Sequence, residues 1–238
     1  MRRVVFLVLC AALFVTSCGG DDDSSSEAAT SAATSVPPSS SIPAGDGSIE
    51  PGTYQIPKSA WSVADFTVTF PKGWTVQYGH VYAKHSNADD ELGGDTGFYA
   101  VVPDAIYADT CVGSNSGELM DVGPSVDDLA EALLRQPGPM KSGPVDTTLG
   151  GYPAKRIDLT VPKGFDLSAC NVKDIGLQIW YSPPADKYFV LLQSEIASVY
   201  ILDVHGQRQV FLTGHMSASS QEDVRELQTV LDSIRIES

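Results

Sequence analysis

Basic residues are scarce in this sequence. Lys and Arg number 15 against 30 Asp and Glu, a formal net charge of −15. A surface of that sign repels nucleic acid and anionic lipid alike, so no nucleic-acid partner is expected. Catalytic signatures are missing too. The chain holds no G-x-S-x-G elbow, no H-E-x-x-H helix, no G-x-G-x-x-G after a strand and no G-K-[ST] phosphate loop. Cysteines are few, 4 in all, and the two in the body of the chain, Cys111 and Cys170, lie far apart without clustered His, a poor pattern for zinc. Asp89, Asp90 and Glu91 with Asp95 supply oxygen ligands but depart from the D-x-[DN]-x-[DN]-G calcium loop and read as a solvated acidic loop. No metal and no cofactor is expected. The apolar run over residues 4–15 is short of the roughly 20 residues a membrane-crossing helix needs.

That run has instead the length of a signal-peptide core. Arg2 and Arg3 precede it, and small or polar residues follow it as Thr16, Ser17, Cys18, Gly19 and Gly20. Its end, Val15-Thr16-Ser17-Cys18, resembles the bacterial lipobox, in which an aliphatic residue and two small ones precede a Cys. The resemblance implies that residues 1–17 are a lipoprotein signal peptide and that Cys18 becomes a diacylated, palmitate-bearing N-terminus on the extracytoplasmic face of the cell membrane. Each buried CH₂ contributes about 0.8 kcal/mol, so two acyl chains hold where one is marginal. Residues 18–52 are Ser, Ala, Thr, Pro and Asp with almost no large apolar side chain. They cannot bury enough surface to offset ordering entropy and are expected to form a disordered tether. Residues 53–238 are long enough for a single globular domain with its own core.

Export changes how the cysteines read. Cys10 leaves with the signal and Cys18 carries lipid, which leaves Cys111 and Cys170 as an even pair in an oxidising compartment. A disulfide between them is expected. Two separate buried thiols and a metal pair are the alternatives.

Alternation of apolar residues predicts strands at 65–70, with Phe66, Val68 and Phe70 on one face, and at 74–78, 98–102, 145–149, 153–161, 177–181, 187–193, 198–204 and 207–213. Residues 103–123 look irregular. Ser125 and Asp128 have capping-box spacing ahead of an apolar stripe of Val126, Leu129, Ala130, Leu133 and Leu134, ended by Pro137-Gly138. A second helix starts at Ser219 or Ser220, where Ser219 and Glu222 have the same spacing, and turns Val224, Leu227, Val230, Leu231 and Ile234 to one face. The strands are joined by hairpins and not by regular helical crossovers. The expected fold class is therefore α+β, a largely antiparallel sheet covered by two main helices.

The C-terminal stretch SVYILDVHGQRQVFLTGHMSASSQEDVRELQTVLDSIRIE pairs a hairpin of the form W/Y-I-L-D-V-D-G-x-R with a closing D-x-x-E-L-x-x-I-V-D-S-I helix. In this it is similar to a group of secreted or lipid-anchored actinobacterial proteins of uncharacterised function. The similarity extends to GPSVDDLAEALLRQPG, to the Gly150-Gly151-Tyr152-Pro153 turn and to the segments around Cys111 and Cys170. His205 departs from it, standing where the pattern has Asp. The resemblance implies the compartment and a rough fold, and no activity. More loosely, Phe66, Val68, Phe70, Pro71, Gly73 and Trp74 resemble the F-x-V-x-F-P-x-G-W opening of PsbP/Mog1-type domains, a central antiparallel sheet with flanking helices.

No residue stands out as catalytic. The expectation is a non-catalytic binding or interaction module of the cell envelope, monomeric, whose partners are the membrane through the lipid and an envelope protein or glycan. The rival readings are an envelope hydrolase with an unrecognised site, for which Asp203, His205 and His215 are the first residues to inspect, and a sensory or regulatory domain acting on a membrane partner. Trp61, Trp74, Tyr78, Tyr82, Trp180 and Tyr181 supply rings for a sugar or peptide groove, although at strand spacing such rings are core residues more often.

Overall fold

A computed structural model of the chain describes residues 42–43, 45–85, 95–111, 117–161, 164–170, 176–182 and 187–237. The expected signal peptide, Cys18, most of the expected tether and the acidic residues Asp89, Asp90 and Glu91 lie outside them. Among the described residues no helix is long and apolar enough to cross a membrane.

Hairpin chemistry builds most of the fold. Gly150 and Gly151, both at positive φ, turn β9 (Met140–Leu149) back as β10 (Tyr152–Thr160). His205 (φ 55°) and Gly206 (φ 79°) do the same between β13 (Glu195–Val204) and β14 (Gln207–Met216), and Asp203 Oδ1 accepts the Gly206 N–H at 2.6 Å. Asp tolerates the left-handed region as well as His does, so the departure at 205 keeps the turn. These strands join β1 (Gly47–Ser48), β4 (Trp74–Gln77), β5 (Val81–Lys84) and β6 (Thr96–Val101) in an eight-stranded antiparallel sheet ordered β1-β4-β5-β6-β14-β13-β10-β9.

Both faces of this sheet are covered at its centre. That is why β13 and β14 read as nearly continuous apolar runs and not as a clean alternation. On one face Phe98, Tyr200, Leu202 and Phe211 pack against β2 (Gly52–Ile56) and β3 (Phe66–Phe70) and against α2 (Gln221–Asp232). β2 and β3 pair with each other and with β15 (Arg235–Ile236) in a three-stranded sheet. On the other face Ile157, Val199, Ile201, Val210 and Leu212 pack against α1 (Val126–Arg135) and a four-stranded sheet. Its order is β12 (Lys187–Leu192), β11 (Gly176–Ser182), β7 (Ala105–Tyr107) and β8 (Leu119–Asp121).

This corrects the expected α+β class. The described residues are mostly antiparallel strand, arranged in three sheets, and the two α-helices among them are short, 10 and 12 residues. They do not cover one sheet between them; each patches a different face beside a smaller sheet. The misreading has two sources. Segment 103–123 holds β7 and β8, three residues each, too short to show a period. Periodicity also gives no sign that β11 and β12 leave the large sheet for a second one.

The helix starts form largely as read. Ser125 Oγ accepts the Asp128 N–H and Asp128 Oδ2 accepts the Ser125 N–H, both at 3.0 Å, a complete capping box. At α2 the cap is Ser220, whose Oγ accepts the Asp223 N–H. Ser219 instead accepts the Met216 N–H at Oγ and donates to the Asp95 carbonyl.

The hairpin arginine of the sequence motif has a structural task. Arg208 is buried and donates to the backbone carbonyls of Gly123, Ser125 and Pro103, tying β14 to the chain entering α1. Cys111 and Cys170 are joined by a disulfide, 59 residues apart in sequence, which fastens the segment after β7 to the one before β11.

Candidate functional site: an aromatic groove between two sheets

The four-stranded sheet does not reach across the whole of the large one. Its apolar cluster includes side chains from β6, β10, β13 and β14 and none from β4 or β5. Beyond β12 the two sheets part and leave a groove. One section, of about 270 Å³, is lined by Trp61, Tyr78, His80, Val81, Tyr99 and Trp180 with Phe189 and neighbours. A second section, of about 190 Å³, runs on past Val81, Tyr99 and Phe189 to Gln77, His85, Asp95, Glu195 and Met216. Val81, Tyr99 and Phe189 line both, so the two sections adjoin at these side chains.

The aromatic section is a ladder of rings. Trp61 stacks on His80 at 3.4 Å between centroids, His80 meets Tyr99 edge-on at 6.4 Å, Tyr99 lies 6.1 Å from Phe189, and Phe189 4.8 Å from Trp180. Each upper rung is positioned by a polar contact. Gln209, buried on β14, accepts the Val63 N–H at 2.8 Å and donates to the Trp61 carbonyl, which fixes the loop that carries Trp61. Tyr78 stands at φ 53° in the β4–β5 turn with its N–H on Asp46 Oδ1 at 2.5 Å, and its carbonyl accepts from His80 Nδ1 at 2.8 Å. The Tyr78 side chain is 76% exposed, the most exposed large apolar residue described. Behind the Trp61–His80 stack lies a second cavity of about 290 Å³, lined by Ile56, Phe66 and Tyr82 among others.

The far section is polar at its end. Gly97 and Gly214 are cross-strand partners on β6 and β14 and leave the floor without side chains. The Glu195 carboxyl occupies that space, since a Cβ on Gly214 would fall 2.4 Å from Glu195 Oε1. Glu195 Oε2 accepts the Leu192 N–H at 2.8 Å. Burial pushes this carboxyl up to about 7, against the opposing pull of the Leu192 N–H. Burial, and secondarily the Glu195 charge, also raises the Tyr99 phenol well above its ordinary range. Desolvation lowers the His215 imidazole. At the mouth, His85 Nδ1 bonds Asp95 Oδ2 at 2.8 Å and Gln77 Nε2 bonds His85 Nε2 at 2.8 Å.

The residues singled out from sequence divide. Trp61, Tyr78 and Trp180 come together in the groove, while Trp74 and Tyr82 are buried in the opposite core and Tyr181 lines neither section. Asp203, His205 and His215 are not brought together. Asp203 holds the hairpin turn, and His205 Nε2 bonds Tyr152 Oη at 2.9 Å beside it. His215 pairs with Ile196 seven residues along β14 from Arg208, the partner of Asp203, roughly 24 Å away at strand rise. The hydrolase constellation is therefore not formed by these three. Among the described residues no group of three or more His, Cys, Asp or Glu is placed to hold a metal ion. Sequence reading missed His80, Tyr99, Phe189 and Glu195. The signal within reach was the pair Gly97 and Gly214, since glycine inside a strand marks close approach of another group.

No protein-family model matches the chain, and no curated protein matches it. Among solved structures it is similar to LpqN, described as involved in cell envelope biogenesis of Mycobacterium tuberculosis, at 14% identity over 81% of this chain and 83% of that one. The TM-score is 0.31. A likeness this loose carries no argument, and the function is argued from the residues.

Proposed function

We propose that this chain is a non-catalytic binding protein held on the extracytoplasmic face of the cell membrane by a lipid on Cys18, with the groove between the two sheets as its ligand site. The observation that carries the reading is the aromatic-walled groove with its adjoining polar section. Concave sites with mostly apolar walls and a few convergent polar groups are where small ligands bind, and exposed rings beside a packed core lose apolar burial unless something covers them. The lipobox-like end of the signal supports the anchor, and the composition of residues 18–45 supports a tether of about 30 Å between anchor and domain, shorter than the expected 18–52 because β1 and Ile49 belong to the fold.

Two measurements test it. Cys18→Ser is expected to abolish palmitate incorporation and to move the protein from the membrane fraction to the soluble one; retention on the membrane overturns the anchor. Apolar probes are expected to shift the emission of Trp61 and Trp180, and Phe189→Ala to weaken them by about ten-fold, in line with the 1–3 kcal/mol that a lost apolar contact costs. A full chain whose emission no apolar probe shifts overturns the groove as a ligand site.

A further inference from the structure

We propose that the groove selects an amphiphilic cation, an apolar body lying along the aromatic ladder with an ammonium group seated at Glu195. The inference rests on the reading of the groove as a ligand site and adds the chemistry of what occupies it.

The two sections of the groove ask for different things. Tyr99, Phe189 and Trp180 offer only ring surface, which suits a hydrocarbon or aromatic body and attracts positive charge to ring faces. The far end offers acceptors. Glu195 Oε2 is occupied by one backbone N–H, and Oε1 lies over the bare backbone of Gly214 in the floor. The groups facing Glu195 come from its neighbouring elements, the Leu192 N–H from β12 and Tyr99 and Asp95 from β6 and its approach, while His215, the partner of Ile196, alternates to the other face of the sheet. His85 and Gln77 form the mouth. Asp95 Oδ2 is bonded to His85 Nδ1. Among the described residues no lysine or arginine lines either section. Among the described residues the end of an apolar groove thus carries two carboxyls, of which Asp95 is bonded to His85 and Glu195 faces no basic side chain, in a chain of net charge −15. A carboxylate-headed ligand is repelled there, a hydroxyl head meets one acceptor, and an ammonium head supplies the missing charge.

The carboxyl of Glu195, raised to about 7, gives this a signature. An arriving ammonium stabilises the ionised form, so binding below neutrality releases the Glu195 proton to solvent and affinity rises as that carboxyl ionises. Between pH 6 and pH 8 the ionised fraction of a group titrating at 7 grows about ten-fold.

Three probes of one chain length separate the possibilities: decylamine, decanol and decanoate, each below its aggregation limit. Each is titrated against the full chain carrying Cys18→Ser, with Trp61 and Trp180 emission and calorimetry as readouts. Decylamine stays protonated throughout this pH range. It is expected to bind about ten-fold tighter at pH 8 than at pH 6, to bind tighter than decanol at pH 8, and to release a proton at pH 6. Glu195→Gln is expected to remove the pH dependence and bring the amine down to the alcohol. Should that variant not fold, the wild-type pH series decides alone. Equal affinity of amine and alcohol at both pH values, or tighter binding of decanoate, overturns the cation while leaving the groove a binding site. Failure of all three probes to perturb either readout overturns the groove itself.

Discussion

The two faces of the large sheet are covered by the same kind of material to different extents. On the α2 face the packing continues out to β4 and β5. Trp74, Val76 and Tyr82 join Phe66, Phe70, Phe98 and Phe211 in one cluster, with Phe70 within 6.1 Å of Trp74, Tyr82 and Phe98. α2 is pinned there by Trp74 Nε1 on Glu226 and by Lys84 on Asp223 and Glu226, each at 2.9 Å. On the α1 face the cover stops at β6, and the backs of β4 and β5 form the floor of the groove. Rings thus stabilise one face by mutual burial, while on the other several are positioned by polar contacts and left partly uncovered. Aromatic content alone does not separate a core from a binding site; what separates them is whether a second layer arrives.

The largest expected effect tests the closed face. Phe70→Ala removes the ring at the centre of that cluster and is expected to cost about 3–5 kcal/mol, read from denaturant unfolding; a loss below about 1 kcal/mol would mean that this face is not the better packed one. Next is the staple beneath the open face. Reducing Cys111–Cys170, or replacing both by Ser, is expected to lower stability by about 2–5 kcal/mol, and thiol labelling of the unreduced, denatured chain is expected to find neither cysteine free. Glu195 distinguishes the faces by pH. Its folded value of about 7 lies above the ordinary 4.5, so its contribution is fully present below about pH 4.5 and is lost as pH rises through 7. The change is about 3 kcal/mol, and Glu195→Gln should flatten that part of the pH–stability curve. The smallest effect is expected at Tyr78→Ala, within about 0.5 kcal/mol for so exposed a side chain; a large destabilisation would make Tyr78 a structural residue and not a groove residue.

Much of the fold is legible locally. The capping box at Ser125, the Gly150-Gly151 and His205-Gly206 turns and the buried alternation of Phe66, Val68 and Phe70 all form where residue chemistry places them. The C-terminal cap is legible to within one residue, because Ser219 and Ser220 are both capable caps and a contact to Asp95, distant in sequence, assigns Ser219 elsewhere. The site is less legible. Trp61, Tyr78 and Trp180 are visible as candidate rings, but nothing adjacent in sequence separates them from Trp74, which is core. Glu195 falls between the strands expected at 187–193 and 198–204, and only burial in the tertiary structure raises its proton affinity, against the opposing pull of the Leu192 N–H.

The sequence by itself determined the two helices and the hairpins at Gly150-Gly151 and His205-Gly206, because caps, turns and periodicity act over a few residues, and it set the acidic balance and the even pair of body cysteines. The tertiary structure alone decided that the strands divide among three sheets and that the helices serve separate faces. It alone decided that the smaller sheet stops short of β4 and β5. That last fact makes the groove, and it depends on how far one layer extends over another, a quantity set by contacts between residues scores of positions apart.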